Sequence, residues 1–183
     1  QTCALPIYAV ALRVASITKS NAQGYSMVLW DRTFQIVARE FPDIQTESLL
    51  VDAAAMNFVR RPESFDVVVA SNLFGDILSD LSAIVTGSIG LAASANLDPT
   101  RRFPSMFEPV HGTAPDIAGQ GISNPLATMF SASMMLEHLG ETAAAANLES
   151  AIKQVLAKRE ALTADLGGRS TTRQVTDAVL ACI

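Results

Sequence analysis

Cysteine is nearly missing from this chain: Cys3 and Cys182 are the only two in 183 residues, and they stand close to opposite ends. That excludes a disulfide framework and any zinc-binding cysteine motif, and makes a reducing cytosol the expected compartment. Aromatic residues are scarce at 6%, and clusters of basic residues are lacking. Arg60-Arg61 and Arg101-Arg102 are isolated pairs and the net charge is -5, so nothing could neutralise a row of phosphates. Neither nucleic acid nor a membrane is therefore an expected partner. No apolar run approaches the roughly eighteen residues of a membrane span, and no basic-then-apolar leader opens the sequence. A G-x-G-x-x-G fingerprint behind a strand is also lacking, so no Rossmann domain is expected.

What is present is a helix-rich α/β composition with 49% apolar residues. The first nine residues have no periodicity, and Gln1 to about Ile7 read as a foreign or cut edge. Leu12 to Thr18 is a strand. Trp30, Phe34, Val37 and Phe41 then fall at i, i+4, i+7 and i+11 of a helix that Pro42 stops. A second strand runs from Glu47 to Val51 with Asp52 at its end, and Ala53 to Arg61 is a helix closed by Pro62. A third strand, Phe65 to Ala70, leads into a helix for which Asn72 is the expected N-cap and Ile77, Leu78, Leu81 and Ile84 the apolar positions. This alternation implies a largely parallel sheet with right-handed crossovers.

Each strand in this rhythm is followed by a residue with chemical potential: Lys19, Asp52 and Asp76. Asp80 lies four residues beyond Asp76, on the same helix face, where two carboxylates can share one hard cation. The same spacing also suits a solvated acidic face favoured by the helix dipole. Taken singly, Lys19 reads as a surface lysine and Asp52 as an N-cap; three such residues at one edge of a sheet favour a ligand site.

Beyond Thr86 the character changes to small residues through Asn96 and a proline-bearing loop. A Gly- and Pro-rich loop from Met106 to Pro125 carries His111, and loops of this length are usually functional. Pro125 opens a helix, apolar nearly all round, that Gly140 closes. His138 suits the C-terminal dipole of that helix. Thr142 to about Asp165 reads as a further helix with Leu148, Ile152, Val155 and Leu156 inward, and Gly167-Gly168 breaks it. Thr171 and Gln174 form a capping-box pattern for a last helix to about Ala181.

Four segments, Lys19-Ser20-Asn21, Val51-Asp52-Ala53, Asn72 to Asp80 and Glu108 to Gly119, resemble in order and spacing the isocitrate/isopropylmalate dehydrogenase family. Asn96-Leu97-Asp98-Pro99 through Pro109 resembles its tartrate dehydrogenase/decarboxylase and D-malate dehydrogenase branch more than its isopropylmalate branch. The resemblance implies the family's α/β fold, here its C-terminal half with a parallel or mixed sheet flanked by helices. Residues 1–86 would belong to the smaller, dimer-forming domain and 87–183 to the larger one. It further implies Mg²⁺ or Mn²⁺ held by Asp76 and Asp80 of one subunit and Asp52 of the other, in a homodimer with a shared active site. Lys19 would be general base or proton relay beside Asp52, and Asn21 would lie near the nicotinamide. In the loop, Glu108, His111, Gly112, Thr113, Ala114, Asp116, Ile117 and Asn124 would form the adenosine site. A carboxylate at Asp116 accepts from a ribose hydroxyl and repels a 2′-phosphate, which favours NAD over NADP. His111 alone reads equally as a buried structural histidine.

The implied activity is NAD-dependent oxidation and decarboxylation of a small 2-hydroxy dicarboxylic acid such as D-malate or tartrate. The rivals are 3-isopropylmalate as substrate, and a cation-binding dimerisation fragment without turnover. The family is about twice this length, and the arginines that clamp the substrate would lie in the N-terminal half, so the chain alone is expected to be inactive.

Overall fold

The computed structural model describes residues 13–183; the expectations for Leu12, Cys3 and the segment Gln1 to Ile7 lie outside them. The described residues form two compact units, one up to Val85 and one from Thr86 to Ile183.

In the first unit the chain runs β1 (Arg13–Thr18), α1 (Ser26–Ala38), β2 (Gln45–Leu50), α2 (Val51–Arg60), β3 (Val67–Val69) and α3 (Asn72–Val85). The strands order β2-β1-β3, all parallel, with Ile17 opposite Leu49 and Ala15 opposite Val68. The central strand is buried on both faces from Ala15 to Thr18, as a parallel strand under helices must be. Ala15 and Ile17 pack with Met27 of α1, Ala54 of α2, and Phe74 and Leu78 of α3. The fully buried Ser16 hydroxyl accepts a 2.9 Å hydrogen bond from Trp30 Nε1, which fastens α1 to the strand.

Four details differ from the sequence expectation. The α1 helix stops at Ala38 and tightens into turns ahead of Pro42, with Glu40 and Phe41 N–H donating to the Val37 and Ala38 carbonyls, and Phe41 stays about half exposed. No loop separates β2 from α2, so Asp52 is the second residue of a helix. Strand β3 keeps only the three residues that pair with Val14–Ser16, and Phe65 instead stacks on Phe58 at 4.5 Å. Asn72 lies inside α3, whose first turn closes on the Ser71 carbonyl through Gly75 N–H.

The second unit holds β4 (Ala93–Asn96), β5 (Met106–Pro109), α4 (Leu126–Leu139), α5 (Thr142–Lys158) and α6 (Thr172–Leu180). Residues expected to be irregular thus form an antiparallel pair, Ala93 opposite Pro109 and Asn96 opposite Met106. Ala, Ser and Asn are weak strand formers, so local propensity concealed β4; packing of both strands on α4 holds it. Leu126, Ala151, Ile152, Val155, Val175 and Val179 make the core. The fully apolar surface expected of α4 is only partly covered: Ser131 and Ser133 are buried, whereas Met135 is 39% exposed. Their hydroxyls bond the carbonyls of Ala127 and Ala145, so small polar groups sit inside at no cost in lost partners.

At its C-terminus α4 is closed by Gly140 in the left-handed region (φ 91°). The α5 helix ends at Lys158 and not near Asp165; Arg159 turns left-handed (φ 58°), and Ala164–Leu166 is a separate 3-10 turn. The capping box of α6 forms as expected between Thr171 and Gln174. Among the described residues no helix is long and apolar enough to cross a membrane.

Candidate active site

Because the three strands of the first unit are parallel, their carboxyl ends share one edge, and the residues that follow them collect there. Lys19 follows β1 directly. The backbone then turns back, with Ala22 and Gln23 N–H donating to the Lys19 carbonyl and Asn21 exposed in the turn. Lys19 Nζ lies 2.5 Å from Asp52 Oδ1. The hydrogen bond from Lys19, aided by the backbone N–H of Asp52, holds the Asp52 carboxyl below its ordinary value. This side chain faces solvent, so the contact sets orientation more than stability.

Asp76 and Asp80 are exposed on one face of α3, flanked on the inner side by buried Phe74 and Leu78. Two solvent-facing carboxylates one helical turn apart offer hard oxygen donors with open positions left for water or substrate oxygens, a donor set that fits Mg²⁺ or Mn²⁺. Among the described residues of one chain, no three His, Cys, Asp or Glu side chains lie close enough to hold a metal. Asp52 is thus committed to Lys19 in its own chain and does not complete the Asp76/Asp80 pair there.

In the second unit, Glu108 is exposed on β5, where its carbonyl accepts from Ser94 Oγ. The loop that follows leaves Gly112, Thr113, Ala114 and Asp116 exposed, with His111 and Ile117 half-buried. Ala114 adopts a left-handed conformation (φ 41°) that turns the chain into a 3-10 turn over Pro115–Ile117. Backbone contacts do the local bracing: His111 Nδ1 lies 3.0 Å from the Gly112 carbonyl, and Gln120 Nε2 donates to the Asp116 carbonyl. Asn124 differs from the rest of the loop. It is 7% exposed, its Oδ1 accepts from Leu126 N–H, and its Nδ2 donates to Asp165. Its side chain is therefore turned inward, and its bearing on a ligand runs through the loop it anchors.

Sequence reasoning passed over three polar anchors. Asp165, taken for the end of a helix, accepts from Ser88, Thr163 and Asn124; the Thr-Ala-Asp-Leu-Gly-Gly run is itself a turn signal that could have marked it. Asp98 accepts from Thr100, Arg102 and Phe103 and shapes the loop between β4 and β5. Arg101 is not an idle surface residue: its guanidinium donates to the His138 carbonyl at the end of α4. The His138 ring itself sits 3.4 Å from Ser105 Oγ and against Phe107.

These features define an α/β protein whose ionisable groups gather at the carboxyl edge of a parallel sheet, with a largely exposed Gly-rich loop in a second unit. The chain belongs to the isocitrate/isopropylmalate dehydrogenase family, whose model matches residues 6–179. It is 55% identical over 163 residues to the "Probable tartrate dehydrogenase/decarboxylase TtuC" of Agrobacterium vitis, covering 89% of this chain and 44% of that protein. To the 3-isopropylmalate dehydrogenase of Streptomyces griseus it is 51% identical over 167 residues, covering 91% and 47%. The crystal structure of isocitrate dehydrogenase from Methylococcus capsulatus superposes with a TM-score of 0.89 at 41% identity, covering 93% of this chain and 50% of that one. The chain spans about half the length of the curated relatives it matches.

Proposed function

We propose that a full-length protein carrying this chain is an NAD-dependent, Mg²⁺- or Mn²⁺-dependent dehydrogenase that oxidises a small 2-hydroxy dicarboxylic acid, D-malate or tartrate, and decarboxylates the β-keto acid where one forms. The observation that carries the reading is the 2.5 Å Lys19–Asp52 contact at the sheet edge that also bears Asp76 and Asp80. When bound, the divalent cation would polarise the C2 oxygen and anchor the adjacent carboxylate, and NAD would accept hydride from C2.

The chain's own residues supply the remainder. Asp76 and Asp80 are the oxygen donors of one subunit, and Asp52 of a second copy completes the set. Lys19 Nζ is the proton-transfer atom for the C2 hydroxyl; Asp52 holds it in place, so that proton movement needs no search for geometry. Asn21 borders the nicotinamide. Glu108, His111, Gly112, Thr113, Ala114 and Ile117 line the adenosine, and Asp116 selects NAD by accepting from a ribose hydroxyl and repelling a 2′-phosphate. The second copy is supported by a run of apolar side chains left open to solvent on α2 and α3: Met56, Val59, Leu73, Ile77 and Ile84.

The 51% identical 3-isopropylmalate dehydrogenase favours 3-isopropylmalate, of leucine biosynthesis, as the second reading. Steady-state NADH formation by a full-length enzyme from D-malate, tartrate and 3-isopropylmalate separates the two. A kcat/KM highest for 3-isopropylmalate would reverse the substrate order, and no NADH from any of the three acids would leave the dimerisation-module reading.

A further inference from the structure

Asp165 takes no part in the chemistry above, yet it gathers separate segments of the second unit. Its Oδ2 accepts from Ser88 Oγ at 2.5 Å and from Asn124 Nδ2 at 2.8 Å, and its Oδ1 accepts from Thr163 Oγ1 at 2.5 Å. Asp165 lies at the surface, but the three donor residues are 4%, 7% and 1% exposed. Buried donors cannot turn to water instead, so the carboxylate is the acceptor on which they depend. Ser88 at the same time accepts from Gly90 N–H, and Asn124 Oδ1 accepts from Leu126 N–H at the start of α4. Gly90 completes the fit, because a Cβ there would come within 2.8 Å of both Asn124 Cβ and Asp165 Oδ2.

This network ends on Asn124, the last residue of the loop whose exposed members carry few anchors of their own. We propose that Asp165 is a positioning residue for the cofactor: acting through Asn124, it holds the 111–124 loop in the shape that receives the adenosine half of NAD. The inference rests on the NAD reading of that loop. An ionised carboxylate suits the task because it accepts every one of these hydrogen bonds with no proton of its own to place; an amide offers one acceptor oxygen and a donor group that opposes at least one neighbour. Burial pushes the Asp165 carboxyl up, and the hydrogen bonds from Ser88, Thr163 and Asn124 outweigh it, so the group stays below its ordinary value. An ordered loop matters for binding because disorder in the free protein must be removed at the expense of affinity.

The test uses a full-length enzyme, with Asp165→Asn and the milder Ser88→Ala. Asp165→Asn should raise KM for NAD and the NAD dissociation constant ~10-fold, and Ser88→Ala less, with kcat at saturating NAD and KM for the hydroxy acid within about 2-fold of wild type. A lower melting temperature and lower kcat with unchanged NAD affinity would overturn the proposal, since a merely structural brace would behave so. If Asp165→Asn does not fold, Ser88→Ala decides: wild-type NAD affinity in that variant also overturns it. Amide hydrogen exchange separates the two layers of reading. NAD that leaves residues 112–124 of the wild type unprotected removes the adenosine site itself, and the inference with it. NAD that protects them in the wild type, together with an Asp165→Asn enzyme of undiminished affinity, removes only the positioning role.

Discussion

The hydrogen bond between Trp30 and Ser16 can be broken while its reporter is kept, since Trp30 is the only tryptophan in the chain. Ser16→Ala deletes the acceptor of a 2.9 Å bond in the middle of β1, at a position with no solvent exposure, and leaves the indole N–H without its partner. An unmet buried donor costs about 1–3 kcal/mol. Trp30 is only partly buried, so water recovers some of the loss and the lower end, about 1 kcal/mol, is expected. By contrast, Ile17→Ala at the neighbouring, fully buried position opens a cavity and should cost about 2–5 kcal/mol. Urea denaturation of the chain followed by Trp30 fluorescence measures both, as a fall in midpoint at constant slope. An unchanged midpoint for Ser16→Ala, or a loss equal to that of Ile17→Ala, would refute the assignment of this bond as the fastening between α1 and β1. The functional corollary is that β1 delivers Lys19, so the rate of a full-length Ser16→Ala enzyme should fall with its stability.

Further outcomes follow from the site. Asp76→Asn in a full-length enzyme should abolish Mn²⁺ binding measured by calorimetry, and unchanged affinity would remove the metal assignment. Asp116→Lys should move cofactor preference towards NADP, read as the ratio of kcat/KM for the two dinucleotides, because a cation there attracts the 2′-phosphate that a carboxylate repels. Asp165, with a carboxyl held below its ordinary value of 3.8, contributes stability that is present above that value and lost as pH falls through the lower folded value. The unfolding free energy of the wild type, measured by urea titration at a series of pH values, should therefore fall more steeply below pH 3.8 than that of Asp165→Asn, and equal slopes would remove this role of the carboxylate. The purified chain of 183 residues should form no NADH from D-malate or tartrate; NADH formation would show that the substrate-clamping groups are already present.

Much of the chain was legible where its signals are local. Leu12 to Thr18 read as a strand without tertiary information, Gly140 ends α4 by its own conformation, and Thr171 with Gln174 writes its own cap. The dehydrogenase motifs around Lys19, Asp52, Asp76 and the 108–119 segment were equally plain, since family-specific residues stand in order and spacing, and the family assignment and α/β fold hold. Where local propensity and tertiary environment disagree, the reading failed. Ala93–Asn96 is a strand only because Met106–Pro109 and α4 receive it, and α5 stops at Lys158 although nothing before Gly167 breaks a helix in sequence. The buried serines of α4 were hidden for the same reason: a helix pattern cannot say which small residues face a neighbour.

Order along the chain by itself determined the alternation of strands and helices, the one helix face shared by Asp76 and Asp80, and the identity of the residues that follow each strand, because these depend only on periodicity and neighbouring residues. Tertiary structure alone decided that Lys19 meets the Asp52 expected beside it within one chain, across 33 residues and at 2.5 Å, and that Asp165 is the acceptor for Ser88, Thr163 and Asn124. Contacts of that kind are set by strand order and by which polar groups burial leaves in need of a partner, and neither is written in any short stretch of sequence.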